Sequence, residues 1–93
     1  MLKIATRLNP EGPATLEIVG CLREDSLAEL ERTLEKVRRT HKQILIDLSE
    51  LTLVDHHSLQ FLIAQKRRDI ELVNCPEYIE PWILREASNE LSN

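Results

Sequence analysis

Apolar positions along this chain recur with two periods, and the switches between them mark the elements. Residues 2–8, LKIATRL, alternate at Leu2, Ile4 and Thr6, the period of a half-buried strand. Asn9-Pro10-Glu11-Gly12-Pro13 is turn chemistry throughout, and its two prolines exclude ladder pairing there. Alternation returns over 14–22, ATLEIVGCL, so the two runs predict a hairpin, with Gly20 marking a bulge or a close backbone approach. From Ser26 the period becomes helical. Leu27, Leu30, Leu34 and Val37 share one face as far as about Thr40, and Ser26 and Glu29 stand at capping-box spacing. Ile44-Leu45-Ile46 is too short for a helix and rich in β-branched residues, which predicts a buried strand over 43–48. The chain leaves that strand through Asp47–Leu51 and returns to apolar surroundings at Leu53-Val54. Leu59, Leu62 and Ile63, widened by Phe61 and Ala64, then predict a second helix to about Arg68, and 70–73, IELV, a short returning strand.

The C-terminal stretch is less regular. Ile79, Trp82 and Ile83 have helical spacing, but Pro81 among them leaves two arrangements: a turn over 76–79 before a helix starting at Pro81, or one helix from near Pro76 kinked at Pro81. Trp82, the sole tryptophan, is read as a core plug. Residues 90–93 are expected to fray. The whole pattern predicts an α/β fold, a four-stranded mixed sheet with two main helices packed against it plus a short C-terminal helix. Its 43–73 segment is a β-α-β unit with parallel strands.

Ninety-three residues make one domain, 1–93, with a modest core. Apolar residues at 42% and charged residues at 30% fit a globular protein, and a net charge of −4 opposes general nucleic-acid binding. No apolar run approaches the ~18–20 residues needed to span a bilayer, and Met1-Leu2-Lys3-Ile4 leads straight into a strand pattern rather than a signal segment, so the expected location is cytoplasmic. Cys21 and Cys75 are too few and too far apart for a zinc ribbon or a disulfide scaffold and read as small buried residues. The acids Glu24, Asp25, Glu29 and Glu31 precede the bases Lys36, Arg38 and Arg39 along the first helix, the order its dipole favours on a solvated face. Lys66-Arg67-Arg68 complements the end of the second helix in the same way, and His41 is placed just past the first.

Candidate chemistry concentrates at Asp55-His56-His57-Ser58. Asp55 is a good N-cap, because its carboxylate can accept from free backbone N–H groups two and three residues on. His56, His57 and Ser58 would then occupy the first turn of a helix that begins at the carboxyl end of a buried strand, where sites in open α/β sheets usually lie.

This stretch resembles the signature of the STAS domain, found in sulphate transporters and anti-sigma-factor antagonists. In that family an apolar strand ends in an aspartate, and a loop leads to Asp-Ser-Ser-Gly-Leu or Asp-Ser-Thr-Gly-Leu at a helix start. Here Ile44 to Leu48 match the strand, Asp55 the motif aspartate and Leu59 the leucine; His56 and His57 stand in place of the hydroxyl residues and Ser58 in place of the glycine. Gly20-Cys21-Leu22-Arg23 stands where the second strand of the family commonly ends in Gly-Glu-Leu-Asp. The resemblance implies a non-catalytic regulatory interaction domain without cofactor. It would bind a protein partner, an anti-sigma factor, a serine-kinase-like protein or another regulator, through Arg23, Glu24, Asp25, Asp55, His56, His57 and Ser58. The family's phosphorylated position is His57 here, so the usual serine switch is expected to be lost, with Ser58 one helical step of ~100° away.

Two other readings stay open. One is histidine chemistry at His56 and His57, phosphotransfer or a metal site, although neighbours ~100° apart do not readily chelate one ion. The other is a structural subunit of a larger complex. The sequence carries no glycine-rich phosphate loop, no activated cysteine setting and no carboxylate pair at useful spacing, which speaks against an enzyme. A homodimer is a further open reading.

Overall fold

The structure is a computed structural model, and it describes residues 2–66, 68, 70–83 and 85. Strands β1 (Leu2–Leu8) and β2 (Ala14–Leu22) form the expected hairpin, paired antiparallel from Leu2↔Gly20 to Leu8↔Ala14. The turn between them closes on Asn9, whose carbonyl accepts from Gly12 N–H at 3.2 Å and whose Oδ1 accepts from Glu11 N–H at 3.1 Å. His41 Nε2 lies 3.0 Å from the same Asn9 carbonyl oxygen. The residue just past the first helix thus straps that helix to the hairpin turn.

Helix α1 (Leu27–Arg38) buries Leu30, Leu34 and Val37 on the predicted face. Its capping box does not form. A 3₁₀ turn at Glu24–Ser26 starts the helical winding early, so Ser26 already has helical φ/ψ, and its hydroxyl reaches Asp25 Oδ1 at 3.5 Å instead of a helix N–H.

Beyond α1, β3 (Ile44–Asp47) pairs parallel with β2 from Ala14↔Ile44 to Glu17↔Asp47, and on its other side with β5 (Ile70–Val73). The 43–48 segment therefore lies inside the sheet, whose order is β1-β2-β3-β5. A fifth strand, β4 (Leu51–Val54), pairs with the far end of β2, beyond the four strands expected. It continues the path of β3 along the same edge of β2. The register offset grows from 30 at Ala14↔Ile44 to 31 at Gly20↔Leu51 and 32 at Leu22↔Val54. One of these shifts falls between Gly20 and Cys21, and Gly20 has φ 97, a conformation a side chain would oppose. The irregularity expected at Gly20 is present, with Thr52 of β4 as the extra residue opposite the Gly20–Cys21 step.

Helix α2 (His56–Lys66) returns the chain to β5 and buries Leu59, Leu62 and Ile63. Ala64, expected in the buried stripe, is exposed, while Gln65 is buried and accepts from Arg38 Nη2 at 2.7 Å, joining α2 to α1. The core gathers Leu16 and Ile18 of β2, Leu30 of α1, Ile46 of β3 and Leu59 and Leu62 of α2, all at most 1% exposed. Each such side chain contributes about 1.5–3 kcal/mol of burial.

After β5, Ile79 and Glu80 N–H both donate to the Pro76 carbonyl at 3.0 Å, and residues 80–83 are helical. The turn-then-helix arrangement is the one adopted, with Pro81 in a first turn that needs no N–H from it. Ile79 and Ile83 are buried, but Trp82 is 57% exposed and is not a core plug. With Ile79 and Ile83 turned inward four residues apart, Tyr78 and Trp82 lie one step of ~100° around and face outward. Arg67 and residues 90–93 lie outside the described residues. Among the described residues no helix is long and apolar enough to cross a membrane.

Candidate functional site

Leu22 of β2 and Val54 of β4 are register partners in a parallel pair, so the chain leaves both strands in the same direction and at the same level. Residues 23–25 and 55–58 consequently emerge side by side at the carboxyl ends of parallel strands. Asp55 joins them. Its N–H donates to Leu22 O at 3.2 Å, its Oδ1 accepts from Ser58 N–H at 2.8 Å, and its Oδ2 accepts from Glu24 N–H at 2.8 Å. The Ser58 bond is an N-cap on α2, with Leu59 N–H closing the first turn on Asp55 O at 2.9 Å. The Glu24 bond goes further than capping, because it ties the loop after β2 to the start of α2.

Asp55 is held below the ordinary carboxylate range, first by the Ser58 hydroxyl beside it; burial opposes this, and the N–H groups of Ser58 and Glu24 and the His57 imidazole add to it. Ser58 itself is fully buried, and its Oγ adjoins the carboxylate without completing a hydrogen bond to any partner among the described residues. His56 and His57 are exposed in the first turn of α2, and Arg23, Glu24 and Asp25 are exposed across from them. Arg23, Glu24, Asp25 and Asp55 line a shallow depression of about 510 Å³. Four of the seven candidate residues line that depression, His56 and His57 are exposed in the helix turn that follows Asp55, and Ser58 is buried. Among the described residues no three His, Cys, Asp or Glu side chains are grouped as a metal site.

A second carboxylate is held at the close of β3, level with Glu17 of β2. Asp47, at the close of β3, accepts from Ser49 N–H at 2.9 Å and lies 4.0 Å from the Arg7 guanidinium. Burial raises its pKa, but the Ser49 N–H and hydroxyl, the Asn74 side chain and Arg7 outweigh that and hold it low. Asn74 has φ 53, a left-handed conformation that asparagine tolerates better than most residues.

Cys21 and Cys75 are half-buried and unpaired rather than fully buried. Burial and Glu80 push the Cys75 thiol up against the opposing charge of Lys66, the reverse of what an activated nucleophile needs. One feature escaped the sequence reading altogether. Leu53 (44%), Tyr78 (52%) and Trp82 (57%) are large, apolar and exposed, and with Val54 and Ile79 they line a groove of about 210 Å³ beside Asp55. The Tyr78 hydroxyl donates to the Leu51 carbonyl, and burial raises its pKa, with Cys75 and Cys21 adding to the effect, so it remains a donor. The only sequence signal for this groove was the pairing of Tyr78 with Trp82 four residues apart, opposite the Ile79–Ile83 pair.

Comparison with solved structures places the fold. The chain is similar to SpoIIAA, an anti-sigma factor antagonist solved in its unphosphorylated form, with a TM-score of 0.71, 9% identity, and 98% of this chain and 99% of that one covered. It is similar to an antisigma-factor antagonist STAS domain from Rhodobacter sphaeroides, with a TM-score of 0.62, 20% identity, and 78% and 86% covered. An uncharacterised Shewanella loihica protein with a SpoIIAA-like fold gives a TM-score of 0.55 at 18% identity, with 94% and 77% covered. No curated protein sequence matches significantly. The family model described as "Mlab, STAS domain" matches residues 5–86, from β1 past the exposed Trp82, and with nearly all of its length so matched this chain belongs to the STAS_2 family.

Proposed function

We propose that this chain is a non-catalytic regulatory module that binds a protein partner through the start of α2 and the 23–25 loop. The partner class is a signalling protein of the anti-sigma-factor or serine-kinase-like type, met in the cytoplasm. The observation that carries the reading is the double use of the Asp55 carboxylate. By accepting from Glu24 N–H and Ser58 N–H it holds two exposed segments, Arg23–Asp25 and His56–His57, in one fixed surface. A preorganised surface loses less conformational entropy on docking than two free loops would.

Regulation through a phosphoserine does not fit this surface. His57 occupies the position where the family carries its hydroxyl switch, and Ser58, the nearby hydroxyl, is fully buried. A phosphate there would bring roughly −1.5 to −2 charge into a space already holding the Asp55 carboxylate. The module accordingly acts through the presence of its partner rather than through its own serine phosphorylation.

A photo-cross-linking amino acid in place of His57, with a second variant carrying it in place of Lys42 at the opposite end of the strands, tests this in the native cells. A single defined adduct from position 57 and none from 42 is expected. Equal labelling from both positions, or none from 57, refutes the proposed surface.

A further inference from the structure

Val54 and Asp55 are consecutive, yet they belong to two different depressions. Val54 lines the apolar groove with Leu53, Tyr78, Ile79 and Trp82, and Asp55 lines the polar one with Arg23, Glu24 and Asp25. The two recesses thus adjoin across one peptide unit. The groove is built rather than incidental. Ile79 is buried beneath it, and the Tyr78 hydroxyl is bound to the Leu51 carbonyl, so the aromatic wall is anchored at its Tyr78 end. Three large apolar side chains exposed together at 44–57% form the kind of patch that marks an interaction site.

Its electrostatic surroundings select among occupants. Glu24 and Asp25 border the polar recess beside Asp55, and Glu77 and Glu80 are exposed on either side of Tyr78; among the described residues the bases nearby are Arg23, Arg85 three residues past Trp82, and Lys66, the latter close enough to oppose Glu80 at Cys75. Acids therefore outnumber bases around an aromatic wall. Tyr and Trp faces beside carboxylates favour guanidinium and ammonium groups, by cation–π attraction and by charge. The same acids disfavour an anionic lipid surface or a nucleic acid.

We infer that this joined surface is a docking site for an amphipathic segment of a partner protein that places one or two large apolar side chains in the Leu53–Trp82 groove and Arg or Lys side chains over Glu24 and Asp25. The inference rests on the partner-binding reading of the Asp55 end and gives that partner its chemistry. Helix-in-groove recognition supplies apolar anchors and charges at such spacing.

Trp82 is the sole tryptophan, so its emission reports on the groove directly. The probe is a synthetic amphipathic peptide of about 14 residues, leucines on one face and arginines on the other, against a control with glutamates for the arginines. The expected result is a saturable blue shift with the arginine peptide, weakened by salt. Binding should be roughly tenfold weaker for the glutamate peptide and for the Glu24→Lys/Asp25→Lys protein, equivalent to about 1.4 kcal/mol. Leu53→Asp should abolish the shift while circular dichroism stays unchanged, since Leu53 is largely exposed. Equal binding of the two peptides, no effect of the charge reversal, or no shift at all overturns the inference. So does a dimer in sedimentation that Leu53→Asp dissociates, because a second copy would then be the occupant. With the photo-cross-linker at position 57, adduct formation that persists in Leu53→Asp refutes the groove alone, whereas its absence in the unsubstituted background refutes the helix-start surface.

Discussion

Replacing Asp55 by alanine removes one carboxylate and breaks two interactions at once. The N-cap to Ser58 N–H is worth about 0.5–2 kcal/mol. The second bond, from Glu24 N–H at 2.8 Å, is also made to a charged acceptor; such bonds contribute about 1.5–3 kcal/mol, and the low end applies at a surface where Glu24 is exposed. Asp55→Ala should therefore cost about 2–3 kcal/mol in urea denaturation, with the m-value unchanged. Asp55→Asn keeps one acceptor oxygen and should lose about 1 kcal/mol. The two contributions separate in a double-mutant cycle. Glu24→Pro deletes the N–H at the first position of the 3₁₀ turn, after an Arg23 whose φ −126, ψ 167 suits a residue before proline. The coupling between Asp55→Ala and Glu24→Pro should be about 1 kcal/mol. The pH dependence gives an independent check. The pKa of Asp55 is lowered by folding, so its stabilisation is present above the ordinary carboxyl value near 3.9 and is lost as pH falls through the folded value. The stability gap between the native protein and Asp55→Asn should stay constant from neutral pH down to about pH 4 and close below it. A loss under 0.5 kcal/mol for Asp55→Ala, or zero coupling to Glu24→Pro, would refute the view that this carboxylate joins the two segments.

Three further outcomes concern the core, the turn after β5 and the buried hydroxyl of α2. Ile46→Ala should cost ~2–5 kcal/mol in chemical denaturation, because Ile46 is fully buried on a strand paired on both sides; a loss below about 1 kcal/mol would contradict its central place. Asn74→Ala should cost about 1–2 kcal/mol through the left-handed backbone at φ 53, and Asn74→Gly should cost less; the reverse order in thermal denaturation would show that backbone conformation does not govern this turn. Protein purified from its own cells should carry no phosphate on Ser58, which is fully buried; an intact-mass species heavier by about 80 Da that disappears in Ser58→Ala would show that the switch has moved by one residue.

Periodicity along the chain determined most of the architecture. Alternation at 2–8 and 14–22, helical spacing at Leu30, Leu34 and Val37 and at Leu59, Leu62 and Ile63, and the apolar run at 44–46 each report which face of an element meets the core, and that face is a local property of the residues. The irregularity at Gly20 was legible as one of two readings, since a glycine inside an alternating run marks a bulge or a close backbone approach. Asp55 was legible as a cap because capping is a contact within one turn. Its bond to Glu24, 31 residues away, was not, because it depends on the parallel register of β2 with β4. That strand is only four residues long, with Thr52 and Leu53 exposed, and it exists by pairing rather than by pattern. Ser26 failed as a cap because a 3₁₀ turn overtook it, a matter of how residues 23–26 leave the sheet. Trp82 is outward because Ile79 and Ile83 claim the inward side, a competition among neighbours in space. Local chemistry thus set which elements form and which faces they bury, while the meeting of residues 23–25 with the start of α2 was decided by which strand ends come together, since a contact between distant residues leaves no period in the chain.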